Sequence, residues 1–555
     1  MQKAFPRGEK PPKVGLKEKG GKKSMRAKEK MNRLDRRTML KLMAATGTVG
    51  MTRALGLGTR TAFAQRRGSN ELIAGWNLDQ IERLDPAFIN TTEQMQIATN
   101  IFSGLVYADH NLVPQPDLAE SWEVSKDGRE WVFKLREGVK FHDGSDFTAD
   151  DVLFTYNRTN NPKVGSIHRR RLAEIEKVEK LGKYEVRFKL KSPSAAFLMA
   201  TLSRFPGRAM AIVSRTALEK MGDKQYNVTP VGTGPFRVVE HKVGSKLVLE
   251  RFDDYFRPGI PKVKRITIIP VPEPETAVSA LRTGDIQFHN RPPSQFLDVL
   301  RADPNIVIME GPDPGFQSLE LNQNRVEAFK DVRVRLAIAK AINRDELAKR
   351  GYFGRVLPDV GPIPAAQKLY FRENKREISA QKYDPDTAIR LWEEAKVGKM
   401  KLKLLTSIVR GNLRGAQVLK PLIEQVLPIE FEIEQADPSV YFQRGRQGDY
   451  ETYLAGSGAD VDPNDSLRDF FITKAKFNYF GYSNPTVDVI IEEQFREGNT
   501  QRRIALVHLA EDLVMADAPL AFTHHLIEFV AMRSEVKNFR MSPTPTWDFS
   551  QITLG

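Results

Sequence analysis

The chain of 555 residues contains no cysteine. That excludes disulfide staples, thiolate nucleophiles and cysteine-based metal sites. It also excludes the acylated cysteine that tethers many exported bacterial proteins to a membrane. Long apolar runs are missing as well. A spanning helix needs about 20 mostly apolar residues. The best stretch, 39–57, is interrupted by Gly47, Gly50, Gly56, Arg53 and three threonines. Histidine is scarce, at 8 residues, and forms no HExxH pair. No Gly-x-Ser-x-Gly elbow is present either.

What is abundant at first sight is positive charge, with a net +15. Its placement changes its meaning. Residues 1–64 hold 17 Lys or Arg and 4 Asp or Glu, which is +13, leaving 15 − 13 = +2 for the rest. A nucleic-acid binder needs a basic patch on its folded body, so this class is set aside. Within the basic segment, Asp35-Arg36-Arg37-Thr38-Met39-Leu40-Lys41 precedes the weakly apolar run, which ends near Ala62-Phe63-Ala64. A basic region, an apolar region and a small-x-small cleavage site stand in the order of an export peptide. The arginine pair marks the twin-arginine version. The sequence therefore predicts a protein exported to the periplasm, carried by the twin-arginine translocase and cleaved near Ala64.

The remaining 555 − 64 = 491 residues are too many for one core and predict two to four domains. Patterning is mixed α and β with no fixed repeat. Asp127-Gly128 reads as a hairpin turn, followed by alternation over Trp131, Phe133 and Leu135. Thr148 and Asp151 form a capping-box variant that opens a helix. Strands are expected at 183–190, 263–271, 306–309, 316–321, 401–408 and 429–435. Helices are expected at 272–286, 384–396, 412–427 and 499–516, with two more in 331–350. Pro358, Pro362 and Pro364 mark a linker-like loop. Gly232-Thr233-Gly234 lacks the following lysine and helix of a phosphate loop, and reads as a turn. His524 and His525, adjacent on a strand, point to opposite faces and cannot readily share an ion. No metal or cofactor is expected.

Several ordered motifs go further. Pro116-Asp-Leu-Ala-Glu-Ser-Trp-Glu-Val, Leu135-Arg-Glu-Gly-Val-Lys-Phe-His-Asp-Gly and Thr148-Ala-Asp-Asp-Val are followed by Pro230-Val-Gly-Thr-Gly-Pro-Phe, Asp331-Val-Arg-Val-Arg-Leu-Ala and Tyr383-Asp-Pro-Asp-Thr-Ala. Together they resemble the family 5 extracellular solute-binding proteins, the peptide receptors of ABC importers. The resemblance implies an α/β, two-lobed periplasmic-binding-protein fold with a hinge and an extra domain in the first lobe. By analogy the first lobe takes 65–96, 231–313 and 526–555, the extra domain 97–230, and the second lobe 314–525. It also implies a monomer that captures a small solute, peptide or peptide-like, and hands it to the transporter's membrane subunits without catalysis.

In dipeptide-binding members an arginine pairs with the ligand carboxylate and a later aspartate with its amine. Arg410 and Asp460 stand at those places here. The planar guanidinium suits a carboxylate, although Arg414 competes for that role. Asp460 either binds the amine or caps a turn, with Asp462 and Asp465 nearby. The segment before it, Gly456-Ser457-Gly458, lacks the usual tryptophan; Ser457 is a further candidate ligand contact. Phe316 either faces the cleft or belongs to the core. The rival functions are an exported hydrolase and a periplasmic peptide-binding chaperone.

Overall fold

The structure, a computed structural model, describes residues 70–555 except 79, 90, 205–208, 459, 460 and 545, and it leaves out the side chain of Arg410. The export leader read at 1–64 lies outside the described residues.

Two blocks of parallel strands organise the molecule. In the first lobe Glu71–Trp76 lies parallel to Arg265–Pro270, with Leu72 opposite Ile266 and Ala74 opposite Ile268. The short strand Phe288–His289 flanks it on the other side. Antiparallel Lys246–Arg251 and Phe236–Lys242 extend the edge. Leu72, Ala74, Ile266 and Ile268 are fully buried, as expected of parallel strands covered on both faces. The C-terminal residues Trp547 and Phe549 pack edge-on against Trp76 and complete this core. In the second lobe Met400–Thr406 runs parallel to Ile429–Gln435 and to Thr452–Gly456, while Gln317–Leu321 is antiparallel to the last of these.

One strand, Leu520–Arg533, unites the blocks. Its first half pairs with Gln317–Leu321 and its second half with Ile306–Pro312. The change of partner falls between the pairs Gln317–His524 and Pro312–Ile527. The chain therefore crosses between lobes at 313–316 and again near 525–526. Asp313 N–H donates to Leu526 O at 3.0 Å across the two crossings. Gly315 is required there. A Cβ would stand 2.6 Å from the carbonyl oxygen of Ser457, closer than real contacts allow.

A separate four-stranded antiparallel sheet, in the order Ala119–Val124, Glu130–Leu135, Glu185–Leu190, Ile175–Gly182, forms the extra domain. Helix Ala149–Asn160 covers it, and both halves of the Thr148–Asp151 capping box are made. Phe133, Phe188 and Phe197 fill its core.

The proline-marked loop is not a linker. Residues 359–364 are buried. Asp359 in this loop is 2.8 Å from the Lys375 ammonium and 2.9 Å from His525 Nε2, while its N–H donates to Thr523 O. Buried ion pairs hold the loop against the hinge strand, which proline density alone does not reveal.

Candidate functional site

Ligands of open α/β sheets lie outside the carboxyl ends of parallel strands. In the second lobe that edge is formed by Thr406 and Gly456, together with Gln317 at the start of its antiparallel neighbour. A cavity of about 310 Å³ opens there. Its walls include Gln317, Asn412, Tyr441, Tyr453, Tyr479 and Ser457, with Glu320 among the lining groups. Asn412 is the first residue of helix Asn412–Glu424. It donates from Nδ2 to Leu454 O at 3.0 Å, and Tyr441 O–H donates to the same carbonyl at 2.7 Å. The aromatic wall is thus pinned to the strand beneath it.

Glu320 is the anomaly in this wall. It sits in a strand buried at every position, and the Tyr450 hydroxyl donates to its carboxyl. Burial pushes the Glu320 carboxyl up to about 8, against the lowering effect of that hydrogen bond. The lining of the cavity therefore includes an acid whose protonated form is favoured near neutrality.

The residues expected from the sequence fall around this cavity in different ways. The turn Val409–Gly411, which contains the Arg410 backbone, precedes the helix, and Val409 lines the cavity; the Arg410 side chain lies outside the described residues. Asp460 also lies outside them. Ser457 lines the cavity, where its Oγ accepts the Phe316 N–H at 3.0 Å and its own N–H donates to Phe316 O. The Phe316 ring takes the core alternative and packs at 5.1 Å from Phe470 and 5.3 Å from Phe522. Arg414 turns away, donating to Arg350 O and stacking on Phe353. Asp462 caps the helix that follows it, accepting from Asn464 N–H at 2.9 Å, and is bound on both oxygens by Arg503.

Sequence reasoning missed Glu320, Tyr441, Tyr450 and Tyr453. The available signal was a charged residue inside the apolar stretch Ser318-Leu-Glu-Leu321 and the tyrosine-rich Tyr450-Glu-Thr-Tyr453.

The first lobe presents its own carboxyl edge. Beyond Trp76 and His289, Asn290 Oδ1 accepts from Asn77 N–H at 2.8 Å, and Arg291 pairs with Glu93 at 2.6 Å and with Glu528. Since Glu528 lies on Leu520–Arg533, this ion-pair network ties the edge to the hinge strand. The extra domain touches the second lobe directly. Ala195 N–H donates to Phe495 O at 3.0 Å, and Arg468 lies 3.4 Å from Glu174. Between these two bodies lies a second cavity, of about 920 Å³. No cluster of three or more potential metal ligands occurs among the described residues. Nor is any described helix long and apolar enough to cross a membrane.

Comparison with known proteins agrees with this geometry. The family profile of bacterial extracellular solute-binding proteins, family 5 (middle), matches residues 113–479. Glutathione-binding protein GsiB of Pectobacterium atrosepticum is 28% identical over 489 residues, covering 85% of this chain and 92% of that one. Di/tripeptide-binding protein 2 of Pseudomonas aeruginosa is 28% identical over 79% of this chain and 86% of its own. Among solved structures, the ABC transporter-associated periplasmic binding protein DppA from Helicobacter pylori, in complex with peptide STSA, aligns with a TM-score of 0.73 at 27% identity. That alignment covers 87% of this chain and 98% of DppA.

Proposed function

The chain belongs to the family 5 bacterial extracellular solute-binding proteins, and on that premise we propose that its solute is a short peptide or peptide-like molecule. The protein captures it between the lobes and delivers it, chemically unaltered, to the membrane subunits of an ABC importer. Glutathione and di- or tripeptides are the ligands in the names of its relatives, which favours this class.

The observation that carries the reading is the hinge. Two crossings, 313–316 and 525–526, join lobes whose parallel strands end beside them, and the aromatic cavity with Glu320 stands at that edge. Such a joint permits the lobes to close as rigid bodies over a ligand. In this reading Arg410 takes the ligand carboxylate, Asp460 its amine, and Ser457 shapes the wall between them. The boundaries 65–96, 97–230, 231–313, 314–525 and 526–555 describe the lobes and the extra domain. The protein acts as a monomer in the periplasm after twin-arginine export and cleavage near Ala64.

Titration of the purified protein with di- to tetrapeptides tests this. Ligand at 100 times Kd should stabilise the fold by about 2.7 kcal/mol, and mass spectrometry should recover the peptide intact. Cleaved peptide would point to a hydrolase. Weak binding of many unrelated unfolded chains, with no tight solute, would point to a chaperone.

A further inference from the structure

The larger cavity has no counterpart in the sequence reading. Its floor is apolar, formed by Trp131, Leu198 and Met199 of the extra domain and by Tyr370 of the second lobe. Three large apolar side chains on its lining, Val113, Val124 and Leu369, remain 47%, 45% and 53% exposed. They come from three separate segments and two bodies, yet converge on one hollow. Water-facing apolar groups gathered in this way mark interaction sites. The rim carries both signs, with Lys126 and Arg496 beside Asp127 and Glu497, so it selects no charged occupant. A volume of about 920 Å³ is within the ordinary range for small-molecule sites.

Two further facts name the occupant. Val461 and Asp462 line this cavity, whereas Gly456, Ser457 and Gly458 line the smaller one. Three peptide steps separate Gly458 from Val461, at most about 11 Å. The two cavities are therefore neighbours on one loop, within the reach of a single extended solute. The walls of the larger cavity also belong to different bodies, which meet at polar contacts such as Ala195 to Phe495 and Glu174 to Arg468. A group lodged there bridges them, so it binds the closed arrangement better than the open one.

We infer that this cavity receives the apolar end of the captured solute, a bulky aliphatic or aromatic side chain or an acyl tail, while the polar end lies at the carboxyl edge of the second lobe. This rests on the proposed capture of a solute between the lobes. It makes the extra domain a determinant of specificity as well as a scaffold.

Calorimetry with tetraalanine and with tetrapeptides carrying phenylalanine at either end tests it. One phenylalanine peptide should bind at least tenfold more tightly than tetraalanine, as expected for burying one aromatic ring. In a Val113→Asp/Leu369→Asp variant, altered only at half-exposed positions, the gap should shrink to within about twofold while the affinity for tetraalanine holds. Equal affinities in the natural protein, or a gap that survives in the variant, would overturn the assignment and leave the peptide reading intact. If no peptide binds, the peptide reading fails and N-octanoylglycine decides the cavity. Binding of that probe, but not of N-acetylglycine, and its loss in the variant, would support the inference. No binding of the octanoyl probe would overturn it.

Discussion

Asp359 and Glu320 are both buried carboxyl groups of the second lobe, and their surroundings are opposite. Asp359 faces the hinge strand with Lys375 at 2.8 Å and His525 at 2.9 Å. Burial alone would raise its carboxyl, but Lys375 and His525 together overcome that and hold it at about 2. The network continues through Lys375 to Glu511 at 3.5 Å and through Glu511 to Arg372 at 3.0 Å. Glu320 has a tyrosine hydroxyl and no ion pair among the described residues, and it rises to about 8. The difference separates two uses of a buried acid. Where the protein supplies the opposite charge, the acid fixes the position of a loop. Where it does not, and the acid lines a cavity, a proton or a ligand must supply it.

The contrast can be broken at several points. Lys375→Met leaves Asp359 and Glu511 buried beside a missing cation and should destabilise the fold by about 3–5 kcal/mol in urea unfolding. A loss below about 1 kcal/mol would remove the hinge half of the comparison.

Glu320→Gln should have a pH-dependent effect. The folded Glu320 binds its proton up to about pH 8 and the ordinary carboxyl only to 4.5. Its contribution is therefore greatest below pH 4.5 and declines as pH rises toward 8. Glutamine lacks this titration, so the variant should gain about 3 kcal/mol on the natural protein between pH 5 and pH 8. Parallel stability curves would contradict it. Asp359 works in the other direction. Its contribution is present above 3.8 and lost as pH falls through about 2, so the cost of Asp359→Asn in urea unfolding should fade as pH falls from 3.8 toward 2.

Tyr450→Phe removes the hydrogen bond that the Glu320 carboxyl accepts from Tyr450 and should cost about 1–2 kcal/mol, with the titration of Glu320 moving further up. The smallest effect belongs to the exposed helical pair Arg215–Glu219, 2.9 Å apart. Glu219→Gln should leave stability almost unchanged in urea unfolding, the outcome expected where burial, not pairing as such, sets the scale.

Local structure was legible wherever a short-range rule decides it. The capping box at Thr148 and Asp151 is made as its residues suggest. Asp127-Gly128 turns a hairpin, with Gly128 at φ 68°. Gly284 ends helix Pro274–Thr283 at φ 79°. What stayed hidden depends on partners distant in sequence. Leu520–Arg533 exchanges partners midway, and nothing in its mixed run of apolar residues broken by Thr523, His524, His525 and Glu528 shows that two lobes share it. The loop at Pro358–Pro364 looked like a linker because its burial comes from Lys375 and from the hinge strand. Of the candidate site, the sequence offered positions near the cavity and not the cavity's chemistry. Ser457 and the turn at Val409–Gly411 do border a cavity, but Glu320 matters through burial, which a sequence pattern does not display.

The absence of native cysteine permits the most direct test. Cysteines introduced at Val243 and Val489, exposed positions of the first and second lobes, accept a pair of spin labels. The distance between them should shorten and its distribution narrow when a saturating peptide is added, with the peptide recovered unchanged. An unaltered distance at full occupancy would contradict capture by hinged lobes.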